Sequence, residues 1–259
     1  MSHWEDLDRE LDHWGSLDRR ATLWWRDDDA CADTPALQRL LSVARTNDVP
    51  VAVAAIPAAA DETLAAAIVA VRQATIVQHG YAHANHAPPM ERAAELGLHR
   101  PAIACLAELA SGRQALMRRF DDRFAPIVVP PWNRIDAALL PGLPSIGIRG
   151  VSGFGPRKTA SPHPGLAQVN THVDPIAWRR DRAFIGDASA LERVVGHLRA
   201  RRMREVDPAE ATGLLTHHLV FSDAAWTFVD ALIARTRRHA AAAWLDTGAL
   251  FDATSFRSA

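Results

Sequence analysis

Short apolar and β-branched runs alternate along the chain with longer segments whose apolar residues recur at helical spacing. This alternation is typical of βα units, which build a parallel sheet rather than a β-sandwich. It predicts an α/β fold, a distorted TIM-like (β/α)7 or (β/α)8 barrel in a single domain. The predicted strands are 21–27, 50–56, 74–78, 126–130, 146–151, 167–173, 212–217 and 242–245. The clearest predicted helices are 35–47, 61–72, 100–120, 188–203 and 223–240, with Thr34, Asp187 and Asp223 as predicted N-caps.

Two segments depart from the alternation. Residues 1–20 are predicted to form an N-terminal helical extension, which precedes a catalytic barrel over residues 21–259. Trp4 and Trp14, with two leucines between them, have the spacing of one helix face, which packs either on the barrel or on another subunit. Residues 152–166 contain too many Gly and Pro for a strand or helix, so they are predicted to form a long loop at the rim of an active site.

Composition narrows the class of partner. The chain has 259 residues and is 48% hydrophobic, which is enough for one α/β barrel with a large core. Its formal net charge of -1 creates no long-range field for nucleic acid or an anionic membrane, so we expect neither partner. The expected partner is a small-molecule or saccharide substrate. Cys31 and Cys105 match no paired spacing, and no segment reads as a signal peptide or a membrane span, so we expect a cytoplasmic protein without disulfides.

Acidic, histidine and other polar residues follow several of the predicted strands. Parallel barrels carry their active sites at the carboxyl ends of the strands, so these residues are expected to converge. The clusters comprise Asp27 to Asp29, His79 and His83, residues 130–134, His172 and Asp174, and His217 and His218.

The spacing of the histidines points to a metal site. His79 and His83 are four residues apart, and a chain that turns helically after the strand brings both imidazoles to one side. A carboxylate from residues 27–29 would complete three ligands for a divalent cation. In a regular strand the first and third of these Asp residues face one way and the second the other, so adjacent ones share a site only where the strand ends. His86 either joins the same face or orients a ligand.

These residues resemble motifs of the metal-dependent polysaccharide deacetylases, carbohydrate esterase family four. Residues 26–30 (RDDDA) are similar to the family motif Thr-Phe-Asp-Asp-Gly, and residues 79–83 (HGYAH) to His-(Ser/Thr)-x-x-His, with Gly80 in the hydroxyl position. The resemblance implies that Asp28 is the catalytic base. It also implies a divalent cation, expected to be zinc, held by Asp29, His79 and His83.

Three further motifs follow in the family's order. Residues 129–134 (VPPWNR) resemble the third motif but lack its usual arginine. Either Arg134 or Arg26 takes its place beside the catalytic Asp, or the pKa of the base is tuned in another way. Residues 174–178 (DPIAW) and 215–218 (LTHH) resemble the fourth and fifth. The implied roles are general acid for His217, orientation of that acid for Asp174, and substrate binding for Trp132, Asn133, Arg134 and Trp178.

Structural explanations compete with some of these roles. Pro130 and Pro131 equally suit the end of a strand, Trp132 and Trp178 equally suit a core, and His218 equally suits a packed imidazole.

The resemblance implies a hydrolase that removes an acyl group, expected to be acetyl, from an amide nitrogen of a sugar or a small intracellular metabolite. The alternatives are hydrolysis of a non-sugar carbon-nitrogen amide, or a catalytically silent sugar-binding barrel. An oligomer could form through the N-terminal helix.

Overall fold

Eight parallel strands form one sheet in the computed structural model, which describes residues 3–252. The strands are β1 (Ala21–Ala30), β2 (Val51–Ala55), β3 (Ala74–His79), β4 (Phe124–Val129), β5 (Gly150–Val151), β6 (Ala167–Gln168), β7 (Thr212–Thr216) and β8 (Ala242–Trp244). Their order is β6-β5-β4-β3-β2-β1-β7, and β8 pairs with the start of β1. This arrangement confirms the predicted single-domain α/β barrel of distorted (β/α)7 type.

Helices connect most of the strands and cover the outside of the sheet. They are α1 (Trp4–Ser16), α2 (Pro35–Asn47), α3 (Glu62–Val69), α4 (Ala102–Phe120), α5 (Asp187–Arg202), α6 (Asp223–Arg238) and α7 (Thr247–Phe251). The Thr34 side chain caps α2 as predicted, by accepting from the Leu37 N–H. The caps predicted at Asp187 and Asp223 are wrong by one residue, since Gly186 and Ser222 precede α5 and α6.

The barrel is irregular between β4 and β7, where two predicted strands are shorter than expected. Residues 144–146 form a 3-10 turn, and Gly147 has a φ of 83°, so β5 begins only at Gly150. After β6 the chain runs on towards β7, where the Val173 N–H donates to Gly213 and the Leu215 N–H donates to Val173. This contact closes the barrel without a regular ladder. Residues 152–166 form a loop, as predicted.

Helix α1 packs against α5 of the same chain. Its apolar face is covered, since Leu7 and Leu11 are 0% exposed and Trp14 is 1% exposed. At the edge of this contact, Arg202 forms an ion pair with Glu10 at 2.8 Å. The predicted apolar face therefore packs on the barrel, and a contact between subunits through α1 would use its exposed face.

The predicted barrel range of 21–259 ends beyond residue 252, so its last seven residues lie outside the described part. Within residues 3–252, no helix combines the length and apolar character needed to cross a membrane.

Candidate metal and catalytic site

The three Asp residues at the end of β1 do not alternate as a regular strand would. The pairing of β1 with β2 shifts register between Asp27 and Ala30, and Asp29 has a φ of 77°. Asp27 faces β7, where its carboxylate accepts from the Thr216 hydroxyl and the His218 N–H. At this irregularity the Asp29 carboxylate meets the His79 and His83 imidazoles. The strand is therefore not regular where the three Asp residues lie.

Asp29, His79 and His83 form a cluster of three candidate metal ligands. One Asp29 carboxylate oxygen lies 3.1 Å from His79 Nε2 and 3.4 Å from His83 Nε2. All three donor atoms lie within 4.8 Å of one another. His79 Nδ1 lies 3.0 Å from the Val129 carbonyl, and an Nδ1–H donated there leaves Nε2 as the nitrogen for a cation. Two imidazoles and one carboxylate fit the coordination of a catalytic zinc ion.

The electrostatics differ among the three candidate ligands. Burial acts to lower the pKa of His79, but the hydrogen bond to Asp29 and the charges of Asp28 and Asp29 raise it. Burial acts to raise the pKa of Asp29, but the hydrogen bond from His79 and the charges of His79, His217 and His83 lower that pKa to about 2. Burial lowers the pKa of His83, and the charge of His79 lowers it further. The carboxylate is therefore ionised near neutral pH and attracts a cation, while His83 favours the neutral form that metals require.

The loop that carries His83 is held by Glu95, a residue that the sequence did not indicate. Glu95 is 0% exposed, and its carboxylate accepts from the Tyr81, Ala82 and Ala84 N–H groups at 3.0, 2.8 and 3.4 Å. A Cβ atom on Gly80, whose φ is 55°, would lie 1.9 Å from a Glu95 oxygen. Glycine at the motif's hydroxyl position thus makes room for this carboxylate. No local pattern around Glu95 could have revealed a contact made across an irregular loop.

Asp28 forms a buried bidentate ion pair with Arg26. The Arg26 Nε and Nη2 atoms lie 2.8 and 3.0 Å from the two Asp28 oxygens, and the two side chains are 0% and 2% exposed. Arg26 also donates to Ser152 Oγ at 2.7 Å and to Asn133 Oδ1 at 2.6 Å. Arg134 instead donates to the Ala93 carbonyl at 2.7 Å. Of the two arginines considered for this position, Arg26 is the one that meets Asp28.

His217 lies at the end of β7 with its ring against Trp178, the centroids being 4.6 Å apart. The Trp178 indole donates to Asp174 at 2.6 Å, so Asp174 reaches His217 through the indole rather than by a direct hydrogen bond. Among the described residues, the buried His217 Nδ1 has no hydrogen-bond partner. Burial raises the pKa of Asp174, although the His217 charge and the Trp178 hydrogen bond oppose the increase.

The third motif ends β4 and also borders the metal cluster. Residues 131–133 form a 3-10 turn in which Trp132 and Asn133 have φ values of 54° and 56°. This turn places the Trp132 ring 4.4 Å from the His83 ring. Trp178 is 39% exposed. Both tryptophans therefore lie at the site rather than in the core.

Other polar residues at the strand ends lie outside the ligand cluster. His218 is buried and its Nδ1 pairs with Asp27, so it is a packed imidazole. His172 is buried 3.3 Å from Glu210, near the closure of the barrel. His86 is exposed, and of the described residues only Asp29, His79 and His83 form a candidate ligand group.

No protein-family model matches the chain, and no curated protein matches it in sequence. Among solved structures, it resembles a Mycobacterium smegmatis protein assigned as a polysaccharide deacetylase, with a TM-score of 0.63, 16% identity, and coverage of 88% of this chain and 87% of that one. It also resembles a family 4 acetyl xylan esterase from Clostridium thermocellum in complex with cobalt, with a TM-score of 0.52, 14% identity, and coverage of 89% and 90%.

A third similar structure is a family 4 pseudoenzyme from Bacillus anthracis, with a TM-score of 0.53, 15% identity, and coverage of 90% of this chain and 66% of that one. At these identities the likeness establishes the fold. The chain therefore has the barrel of the family 4 carbohydrate esterases and polysaccharide deacetylases, as the resemblance of its motifs predicted.

Proposed function

We propose that this protein is a metal-dependent hydrolase that removes an acyl group, expected to be acetyl, from an amide nitrogen. The observation that carries the proposal is the meeting of Asp29 from β1 with His79 and His83 from the end of β3. The ion pair of Asp28 with Arg26 lies on the same strand, and the His217 charge acts on Asp29. These contacts support a ligand set, a base and an acid at one end of the barrel.

The proposed roles follow from these contacts. A bound divalent cation, expected to be zinc, would polarise the substrate carbonyl and increase the acidity of water. Asp28, held by the two parallel hydrogen bonds from Arg26, would accept the proton of the attacking water. His217 would donate a proton to the departing amine. Each proton transfer would contribute on the order of 10² to 10⁴ in rate.

The expected substrate is an N-acylated sugar or a small metabolite of the cytoplasm. The names of the similar structures, a polysaccharide deacetylase and an acetyl xylan esterase, support acyl removal from a carbohydrate. Trp132 and Trp178 would provide apolar faces for an acyl methyl group or a sugar ring.

The test combines turnover with metal content. In the Asp28→Asn variant we expect acetate release from a panel of N-acetylated amino sugars and small N-acetyl amides to fall by about 10² to 10⁴. Elemental analysis should still find the metal at the level of the parent protein, because Asp28 is not a proposed ligand. The exposed Asp12→Asn variant, altered in α1, serves as the matched control and should keep parental turnover.

Two alternatives have distinct outcomes in the same experiment. Release of acetate only from the small amides would identify a non-sugar amidase. The likeness to a pseudoenzyme supports a second candidate, a silent sugar-binding barrel. That barrel would bind sugars and show no turnover in the parent or the variant. Equal turnover by the parent and Asp28→Asn would refute the role of Asp28.

A further inference from the structure

Three loops at the carboxyl end of the barrel each carry an arginine close to the candidate site. Arg92 belongs to the loop after β3, and Arg134 follows β4 next to Asn133, whose side chain accepts from Arg26. The Arg134 guanidinium donates to the carbonyl of Ala93, the residue that follows Arg92 in the chain. Arg179 directly follows Trp178, whose ring contacts His217.

These three guanidinium groups have no carboxylate partner within residues 3–252. Among the described residues, no ion pair includes Arg92, Arg134 or Arg179, whereas Arg100 and Arg202 pair with glutamates elsewhere in the chain. Burial lowers the pKa of Arg134, and the like charges of Arg92 and Arg179 lower it further, as expected for neighbouring cations. The chain as a whole has a net charge of -1, so this is a local concentration of positive charge.

Three acidic side chains on the same loops have other hydrogen-bond or ion-pair partners. Glu91 lies 3.6 Å from His99, and Asp136 accepts from the Ala138 N–H at 2.9 Å. Asp181 accepts from the Ala183 N–H at 3.1 Å. None of these three carboxylates forms an ion pair with Arg92, Arg134 or Arg179, although Asp136 and Asp181 lie in the same region.

Two cavities beside the candidate site provide room for a charged group. One, of about 500 Å³, is lined by residues that include Asn133, Arg134 and Phe154. The other, of about 900 Å³, is lined by residues that include Phe154, Trp178 and Arg179, together with Arg180 and Arg193. Phe154, which is 46% exposed, borders both. Arg134 and Arg179 thus line two cavities that share Phe154.

We propose that the substrate is an N-acylated compound that also bears an anionic group, a phosphate or a carboxylate, which Arg134 and Arg179 bind. This inference rests on the proposed function and specifies its substrate class. The planar guanidinium fork matches both carboxylate and phosphate oxygens, and such charge-assisted hydrogen bonds are among the stronger polar contacts. An anion would also relieve the repulsion between neighbouring cations, which a neutral sugar would leave uncompensated.

The experiment compares substrates that differ in one group. Initial rates of acetate release are measured with metal-loaded protein on N-acetylglucosamine, its 6-phosphate and N-acetylmuramic acid, at low and high salt. Binding of the same three compounds to the metal-loaded Asp28→Asn variant is measured by calorimetry, which requires no turnover. Both measurements are repeated with Arg134→Gln and Arg179→Gln. The control is Arg118→Gln, which removes an exposed cation near the other end of the barrel.

We expect kcat/KM and affinity to be at least ~10-fold higher for one anionic compound than for N-acetylglucosamine, with the preference falling at high salt. Arg134→Gln and Arg179→Gln should each reduce that preference several-fold, chiefly through KM, while Arg118→Gln leaves it unchanged. Preference for the 6-phosphate would identify phosphate as the recognised group, and preference for N-acetylmuramic acid would identify carboxylate.

Equal binding and turnover of neutral and anionic compounds would overturn the inference, as would a preference that neither arginine variant reduces. Absence of turnover on every compound would instead count against the proposed hydrolase. In that case the calorimetric comparison still decides the anion site, because it depends only on binding.

Discussion

Arg26 is a cation with no access to solvent, and its environment explains how the chain accommodates it. Its guanidinium donates to both Asp28 oxygens, to Ser152 and to Asn133, so its donors are paired on three sides. Removal of one partner from such a pair leaves a buried charge without compensation. Arg26 therefore orients the proposed base and also stabilises the end of β1.

We predict that Arg26→Gln lowers the free energy of unfolding by about 3–5 kcal/mol, because it leaves the Asp28 carboxylate buried and unpaired. Urea denaturation measures the change. The control is Arg39→Gln, which removes the largely exposed pair with Asp223 and should cost less than about 1 kcal/mol. A loss from Arg26→Gln no greater than that of the control would show that the buried pair does not have this role.

At the scale of elements, the end of β1 and the loop after β3 together create the ligand cluster. The β1 irregularity directs Asp29 to the imidazoles, and Glu95 holds the backbone of the loop that carries His83. Replacement of a group that orients a metal ligand commonly lowers the metal affinity by about 10- to 100-fold. Glu95 is thus a positioning residue for His83.

We predict that Glu95→Ala weakens zinc affinity by about 10- to 100-fold, because three N–H groups of the loop lose their acceptor. Competition with a chromophoric chelator measures the affinity. Glu91→Ala is the matched control, since Glu91 lies in the same loop and its carboxylate forms an ion pair with His99. Glu91→Ala should bind zinc as the parent does. Unchanged affinity in Glu95→Ala would contradict the positioning role.

At the scale of the whole molecule, the closure of the barrel contains buried titratable groups. The rings of His172 and His197 stack 3.6 Å apart, between the segment after β6 and α5. Burial, and then the charges of His172 and Arg201, lower the pKa of His197 to about 2. The folded protein therefore keeps His197 neutral under conditions in which the unfolded chain protonates it.

The sign of the resulting pH dependence follows from this lowered pKa. The contribution of His197 to the free energy of unfolding is fully present above its ordinary pKa of 6.5. It is lost progressively as the pH falls from there towards about 2. We predict that between pH 7.5 and 5 the parent loses about 1–2 kcal/mol more stability than His197→Gln does. Urea denaturation at the two pH values measures the difference.

The parent must be compared with the His197→Gln variant because the titration of His218 changes the stability in the opposite direction with pH. Burial works to lower the pKa of His218, but the charge and the hydrogen bond of Asp27 raise it, so its contribution is lost as the pH rises. His13→Gln, on an exposed position of α1, is the control and should retain the parental pH dependence. The same dependence in His197→Gln as in the parent would contradict the assignment.

Much of the fold was predictable because the relevant signals are local. The apolar run of β3 and the helical spacing of α2 are properties of a few consecutive residues, and both elements lie where the pattern predicted them. The short β5 was less predictable, since the 3-10 turn of residues 144–146 interrupts an apolar segment. The closure of the barrel by residues after β6 depends on contacts with β7 and has no local signature.

The sequence by itself determined the order of the βα units and placed Asp29, His79 and His83 at strand ends. It could do so because hydrophobic period and strand direction are encoded locally, and parallel strands bring their carboxyl ends together. Only the tertiary structure decided that Asp27 pairs with His218, that Arg26 rather than Arg134 meets Asp28, and that Glu95 holds the His83 loop. Those choices depend on a strand irregularity and on contacts between residues far apart in the chain, which no local pattern contains.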